Sequence, residues 1–399
     1  MASPRFFIVL LLLLSTGCAA PQSAPRAALV AAAPAGLPVR ALASAAQAYA
    51  RAGGETVQVV ALPQDSYIDQ VSAALLAGLD RYDLVWLPAE SLAKWAGSKT
   101  IRPLDAALTP ADRADLAPWL GPVTVGGVLY GLPAQPDPLL LWYRADWLAA
   151  AGLNAPPRTW QEFDAAARAL NAPPERYGAA LAGGENDAAL DYAAVLAGWS
   201  LRPVGAWGSA DPGALAVGET GSREALALYG GWFGAQRVTP PGAEQAARAD
   251  VVKALAQGRA AMGLAPLSAA AELLDCPSSP KACVNGKPQL AAAWLPGSAA
   301  CRLLSEMAAW AVPLHAAHPE SAQRFAAWLV SDAGARAWEQ GGGIAPGSAP
   351  QVGSLAAKAG LDISGQRCYE QAVPPTATAE ELWTALNTAA HAAASGQNA

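Results

Sequence analysis

The strings GGVLYGLPAQPDP (residues 126–138), LLLWYRADWL (139–148) and AGLNAPPRTWQEF (151–163) decide the fold of this 399-residue chain. Gly126 and Gly127 make a tight turn, from which 128–132 return as a short strand. Pro133, Pro136 and Pro138 stiffen a crossing segment that can be neither helix nor central strand, because proline brings no ladder donor. Residues 139–143 form an unbroken apolar run of strand length, which predicts a buried strand. A short helix follows over 146–151 and closes at Gly152. Thr159 and Glu162 have the spacing of a capping box. Trp160, Phe163, Ala167 and Leu170 then line one face of a helix.

Working outward, 27–33 reads as a strand, 37–52 as a helix stopped by Gly53 and Gly54, and 57–62 as a second strand. Residues 67–76 read as a helix and 82–86 as a third strand. Strands and helices alternating over short links predict an α/β fold, with a right-handed, mostly parallel sheet covered on its faces. Such sheets bind ligands beyond the carboxyl ends of their strands, which places Gln64, Asp65, Trp86 and Glu90 near a cleft. Downstream, 247–265 reads as a helix followed by the string QGRAAMGL, and 307–313 as a strand. Pro319 opens a helix with Ala322, Phe325, Ala326, Leu329 and Val330 on its apolar side. Ser331 caps another, ended by Gly341 to Gly343, and Thr378 with Glu381 opens a last helix reaching residues 395–396.

The N-terminus marks an exported protein. Arg5 precedes an apolar run, 6–14, too short to span a bilayer stably, and the string STGC ending at Cys18 looks like a lipobox, with Ser15 where Leu is usual. Residues 1–17 are therefore expected to be a signal peptide, and 18–25 a small, uncharged tether behind a lipidated Cys18. Four further cysteines, Cys276, Cys283, Cys301 and Cys368, suggest two disulfides, and four cysteines allow three pairings. The surface-loop character of 277–282 favours Cys276 with Cys283, leaving Cys301 with Cys368. Neither pair has close zinc-type spacing, so no metal site is expected.

The length implies two lobes. The net charge of −6 becomes −7 once Arg5 leaves with the signal, and without a basic block nucleic acid is not an expected partner. Fourteen tryptophans stand against five phenylalanines, a ratio that suits stacking on carbohydrate, although most of the indoles are expected in cores.

In its order of turn, crossing, buried strand, short helix and Pro-Pro-x-Thr-Trp helix start, the 126–170 segment resembles the family 1 bacterial extracellular solute-binding proteins, the substrate-capturing lipoproteins of ABC importers typified by maltose-binding protein. The run HPESAQRFAAWLVS (318–331), the string GRAAM (258–262) and the strand 82–86 carry the same likeness. It implies a two-lobed periplasmic-binding-protein-like fold with three hinge crossings, at 134–138, 291–296 and 341–347. Lobe one would hold 26–134 and 297–341, and lobe two 138–291 and 347–396.

It also implies that a small solute, a sugar, oligosaccharide or polyol, is captured between the lobes and passed to permease subunits when the hinge closes. The chain would act as a monomer on a lipid anchor, without a cofactor. The resemblance singles out Asp137 as the carboxylate that meets sugar hydroxyls and Trp383 as a stacking aromatic. Trp86, Gln64, Asp65, Glu90, Asn186, Asp187, Ser268 and Glu306 are further candidates. The loop at 266–268 lacks the aromatic that oligosaccharide binders often carry there. A polyamine, a peptide, or a non-transport role in sensing or scaffolding are the alternatives, and the sparseness of basic residues at these positions disfavours an anion.

No enzyme is expected. Ser91 and Lys94 share the Ser-x-x-Lys spacing of penicillin-interacting enzymes without the companion motifs, and no Gly-x-Ser-x-Gly elbow occurs. His315 and His318 are spaced like ligands, but they flank a predicted helix start and no carboxylate partner is expected close by.

Overall fold

The computed structural model describes residues 29–185, 187–198, 220–297, 303–346, 354–361, 369–370 and 379–397. Its strands in chain order are β1 (Leu29–Pro34), β2 (Val57–Leu62), β3 (Leu84–Pro88), β4 (Thr124–Val125), β5 (Val128–Leu129), β6 (Leu132–Arg144) and β7 (Tyr177–Ala180). They continue as β8 (Ala260–Pro266), β9 (Cys283–Val284), β10 (Lys287–Pro288), β11 (Leu290–Ala293), β12 (Leu303–Ala311) and β13 (Tyr369–Glu370).

The first lobe is built on β2-β1-β3-β12-β6 and the second on β6-β8-β7. β1 lies parallel to β2 and β3, and β7 parallel to β8, as βαβ units require. β12 runs against both β3 and β6. β1 is almost wholly apolar because helices cover its sheet; one of these is Leu37–Arg51, which turns Ala41, Leu42, Ala45 and Ala46 inward at the three-to-four-residue spacing of one helical face.

β6 belongs to both lobes. Its first half pairs with β12 from Leu132 to Pro138; its second half pairs with β8 from Leu139 to Tyr143 and with β11 from Leu141 to Arg144. The separate short strand, rigid crossing and buried strand expected from sequence are thus corrected. Only Val128–Leu129 return from the Gly126–Gly127 turn, both of whose glycines have positive φ (58° and 82°), and a single strand then runs from Leu132 to Arg144. The prolines are tolerated because the half that carries them is the edge of the first sheet, where one side makes no ladder bonds.

The hydrophobic core divides along the same line. One cluster gathers Leu29, Leu42, Tyr67, Leu87, Trp95, Ala134, Trp310 and Phe325; a second gathers Leu139, Leu141, Trp160, Phe163, Tyr229, Trp232 and Leu386; a third, in the same lobe as the second, holds Leu140, Trp142, Leu255 and Leu267. Trp294 packs against the first and third, so it sits where the chain passes between lobes.

Local signals read from sequence are present, with one change. Thr159 Oγ1 accepts the Glu162 N–H at 3.1 Å, but the Glu162 carboxylate accepts the N–H of Arg158 rather than that of Thr159. Ser331 caps the helix Asp332–Gln340 by accepting the Gly334 N–H. Cys276 and Cys283 are disulfide-bonded. Cys18, Cys301, Cys368, Asn186 and Thr378 lie outside the described residues. Among the described residues no helix is long and apolar enough to cross a membrane.

Candidate interlobe binding site

The carboxyl ends of β1, β2 and β3 lead into Leu37, the 3-10 turn Gln64–Ser66 and the 3-10 turn Ala89–Ser91. Gln64, Asp65 and Glu90 are all exposed there. Tyr67 ties β1 to β3: its hydroxyl donates to Ala32 O at 3.0 Å and accepts the Trp86 N–H at 2.9 Å. Burial pushes the Tyr67 phenol well above its usual range, so it remains a neutral donor.

From the second lobe come the turn Leu267–Ala269 after β8 and the loop 181–187 after β7. Asp137 and Ser268, 131 residues apart in sequence, are brought together, the Asp137 carboxylate accepting the Ser268 N–H at 2.8 Å. Asp137 is half-buried on the crossing strand, and Glu306 is its register partner on β12. A cavity of about 510 Å³ is shared by the lobes, with Leu37 and Arg40 on one wall and Val252, Pro266, Ser268 and Glu272 on the other. A smaller cavity of about 270 Å³ lies in the second lobe alone, between the loop 240–246 and the helix Arg248–Ala256. Since capture between lobes needs walls from both, the larger one is the candidate site. Helix Ala379–Ala394, which carries the half-buried Trp383, approaches the Ala89–Ser91 turn from across the gap.

The tryptophans divide. Trp86 stacks on Trp338 at 5.7 Å and meets Trp310 edge-on at 5.1 Å, so it is half-buried beside the first core. Trp383 rests against the second core.

The 181–187 loop is held by a buried polar network that sequence reading missed. Asp191, fully buried, accepts the Ala182 N–H and pairs with Arg248 at 2.6 Å. Arg248 also donates to Leu264 O and Asp187 O, Tyr229 donates to Ala182 O, and His391 Nδ1 lies 2.7 Å from Gly183 O. Burial pushes the Asp191 carboxyl up to about 6, against the lowering pull of Arg248 and the Ala182 N–H. Asp187 is half-buried at the start of the helix Ala188–Gly198. Arg40 was also missed, although its place one turn into the helix after β1 was a usable signal. The Asp191, Leu264 and Asp187 partners of Arg248 lie 57, 16 and 61 residues away, and no local pattern announces them.

The side chains considered for enzyme or metal chemistry have other roles. Ser91 Oγ donates to Pro88 O and accepts the Trp95 N–H. His318 does have a carboxylate partner, which corrects the sequence reading: Asp83, distant in sequence, accepts its backbone N–H at 2.7 Å and lies 3.2 Å from Nδ1. Among the described residues no group of three His, Cys, Asp or Glu could hold a metal ion.

Two sheets that share one strand, with a cavity between their carboxyl ends, define a two-lobed α/β binding protein. The family of bacterial extracellular solute-binding proteins matches residues 35–336, and this chain belongs to it. A putative binding protein of Brucella abortus is 28% identical over 216 residues, 52% of this chain and 50% of the relative, so the chain spans about half the length of that relative. The maltose-bound MalE3 of T. maritima has the same fold at a TM-score of 0.74 and 19% identity, covering 93% of this chain and 95% of that one. An ABC transporter solute-binding protein of Agrobacterium radiobacter K84, in complex with ribitol, gives a TM-score of 0.74 at 19% identity, covering 93% and 94%. At such identities the likeness establishes the fold, and the ligand must be argued from this chain's own residues.

Proposed function

We propose that the chain is the solute-capturing component of an ABC importer and holds a sugar, short oligosaccharide or polyol between its lobes. The observation that carries this reading is the shared cavity, whose second-lobe wall at Ser268 is held by Asp137 on β6, a strand common to both lobes. Carboxylate, amide, hydroxyl and indole groups around the strand ends suit a neutral polyhydroxylated solute, and the maltose- and ribitol-bound structures share the fold. Lobe one comprises 26–134 and 297–341, lobe two 138–291 and 347–396, joined at 134–138, 291–296 and 341–347. A solute touching both walls favours the closed form by its differential affinity, and permease subunits read that form. No bond of the solute is made or broken. The chain is exported, lipidated at Cys18 and works as a monomer.

Calorimetric titration of residues 19–399 with maltose, ribitol, D-mannitol and D-tagatose tests the ligand class. Saturable binding of at least one of them is expected. Binding of spermidine or a tripeptide with no response to any of the four would overturn the sugar and polyol reading.

A further inference from the structure

Gln135, on the crossing strand, is only 7% exposed, and its Oε1 has no hydrogen-bond partner among the described residues. A buried amide oxygen without a donor is destabilising and rare, so a fold that retains one calls for a reason.

The strand register supplies it. Trp310 pairs with Leu132, Ala309 with Pro133 and Ala308 with Gln135, so Ala134 is an extra residue without an opposite number. A bulge re-aims the side chains that follow it. Trp310 and Ala308, two apart on β12, share a face of the sheet. Their partners Leu132 and Gln135 therefore share it too, although they are three apart on β6. Trp86 joins the same face by pairing with Trp310 from the other side, and the rings of Trp86, Trp310 and Trp338 pack together there. Two residues beyond Gln135 on this face is Asp137, which holds Ser268 at the cavity wall. Without the extra residue, Gln135 would point to the opposite face. The bulge thus sets a buried, unpartnered acceptor between an indole cluster and Asp137, on the strand that passes from one lobe to the other.

We infer that Gln135 is a ligand-contact residue whose Oε1 accepts a hydrogen bond from a hydroxyl of the solute held between the lobes, and that the Ala134 bulge aims it there. The inference rests on the sugar and polyol reading. It adds a requirement that reading does not contain: the solute presents a hydroxyl donor to the floor of the cleft, next to the carboxylate of Asp137.

The test compares wild type with Gln135→Met, a substitution close in volume, by calorimetric titration with maltose, ribitol, D-mannitol and D-tagatose and by thermal unfolding without ligand. Whichever of these wild type binds should bind about ten-fold more weakly, or worse, to the variant. The unliganded melting temperature should be unchanged or higher, because an unsatisfied buried group has been removed. Affinity within two-fold of wild type overturns the inference. A lowered melting temperature in the unliganded variant also overturns it, since Gln135 would then be supporting the fold. If wild type binds none of the four, the reading of ligand class falls and takes this inference with it; a variant that binds as well as a binding wild type sinks the inference alone.

Discussion

The two halves of β6 are one strand with two compositions. Residues 132–138 carry three prolines, an amide and a carboxylate and pair on one side only; residues 139–144 are LLLWYR, and 141–143 among them pair on both sides. Edge position permits proline and frees side chains to face a cleft, whereas central position demands every ladder donor and buries Leu140, Leu141 and Trp142 completely. On the proposed function the first half serves recognition, while the second holds its lobe together. Stability and binding should separate along the strand.

The contrast breaks most sharply if proline is moved across it. Leu141→Pro would remove a ladder donor between Leu264 and Ala293 and should cost upward of about 3 kcal/mol, leaving no cooperative transition in urea unfolding. Next comes the network that pins β8 beside the central half. Arg248→Met strands the fully buried Asp191 carboxylate and should cost about 3–5 kcal/mol at pH 8. Because folding raises the Asp191 carboxyl from 3.8 to about 6, the folded state holds that proton more tightly than the unfolded chain. Its stabilising contribution is full below pH 3.8 and lost as pH rises through about 6. The variant should therefore lose much less stability at pH 5 than at pH 8 in urea titrations, and an equal loss at both would show that Asp191 is not the partner that matters.

In the recognition half, Asp137→Ala should weaken binding of the responsive sugar or polyol ten-fold or more. Its cost in stability should be only about 1–3 kcal/mol, for the charged hydrogen bond to Ser268 N, and calorimetry beside urea unfolding would read both. Pro136→Ala should do least, roughly 0.4–1 kcal/mol through greater freedom of the unfolded chain, with affinity unchanged.

Which parts of this were legible in sequence follows from where each signal resides. The caps at Thr159 and Ser331, the helices Leu37–Arg51, Tyr67–Leu76 and Pro319–Leu329, and the βαβ alternation rest on residues a few positions apart, and they could be read directly. The continuity of β6 could not. Pro133, Pro136 and Pro138 look locally like a break, and only pairing with β12, whose Ser305 to Trp310 lie far along the chain, makes that stretch an edge strand. The aim of Gln135 depends on the same register, so its candidacy was invisible from the string around it. Asp137 and Ser268 were each singled out through the likeness to the solute-binding family, but the contact between them, across 131 residues, was not.

Small-angle X-ray scattering on residues 19–399, with and without a saturating amount of whichever of maltose, ribitol, D-mannitol or D-tagatose binds, tests capture between the lobes most directly. The account predicts that the radius of gyration falls on saturation in wild type, because a solute held by both walls draws the lobes together about β6. A solute that binds saturably yet leaves the scattering curve unchanged would contradict it, placing the ligand on one lobe and outside the shared cavity.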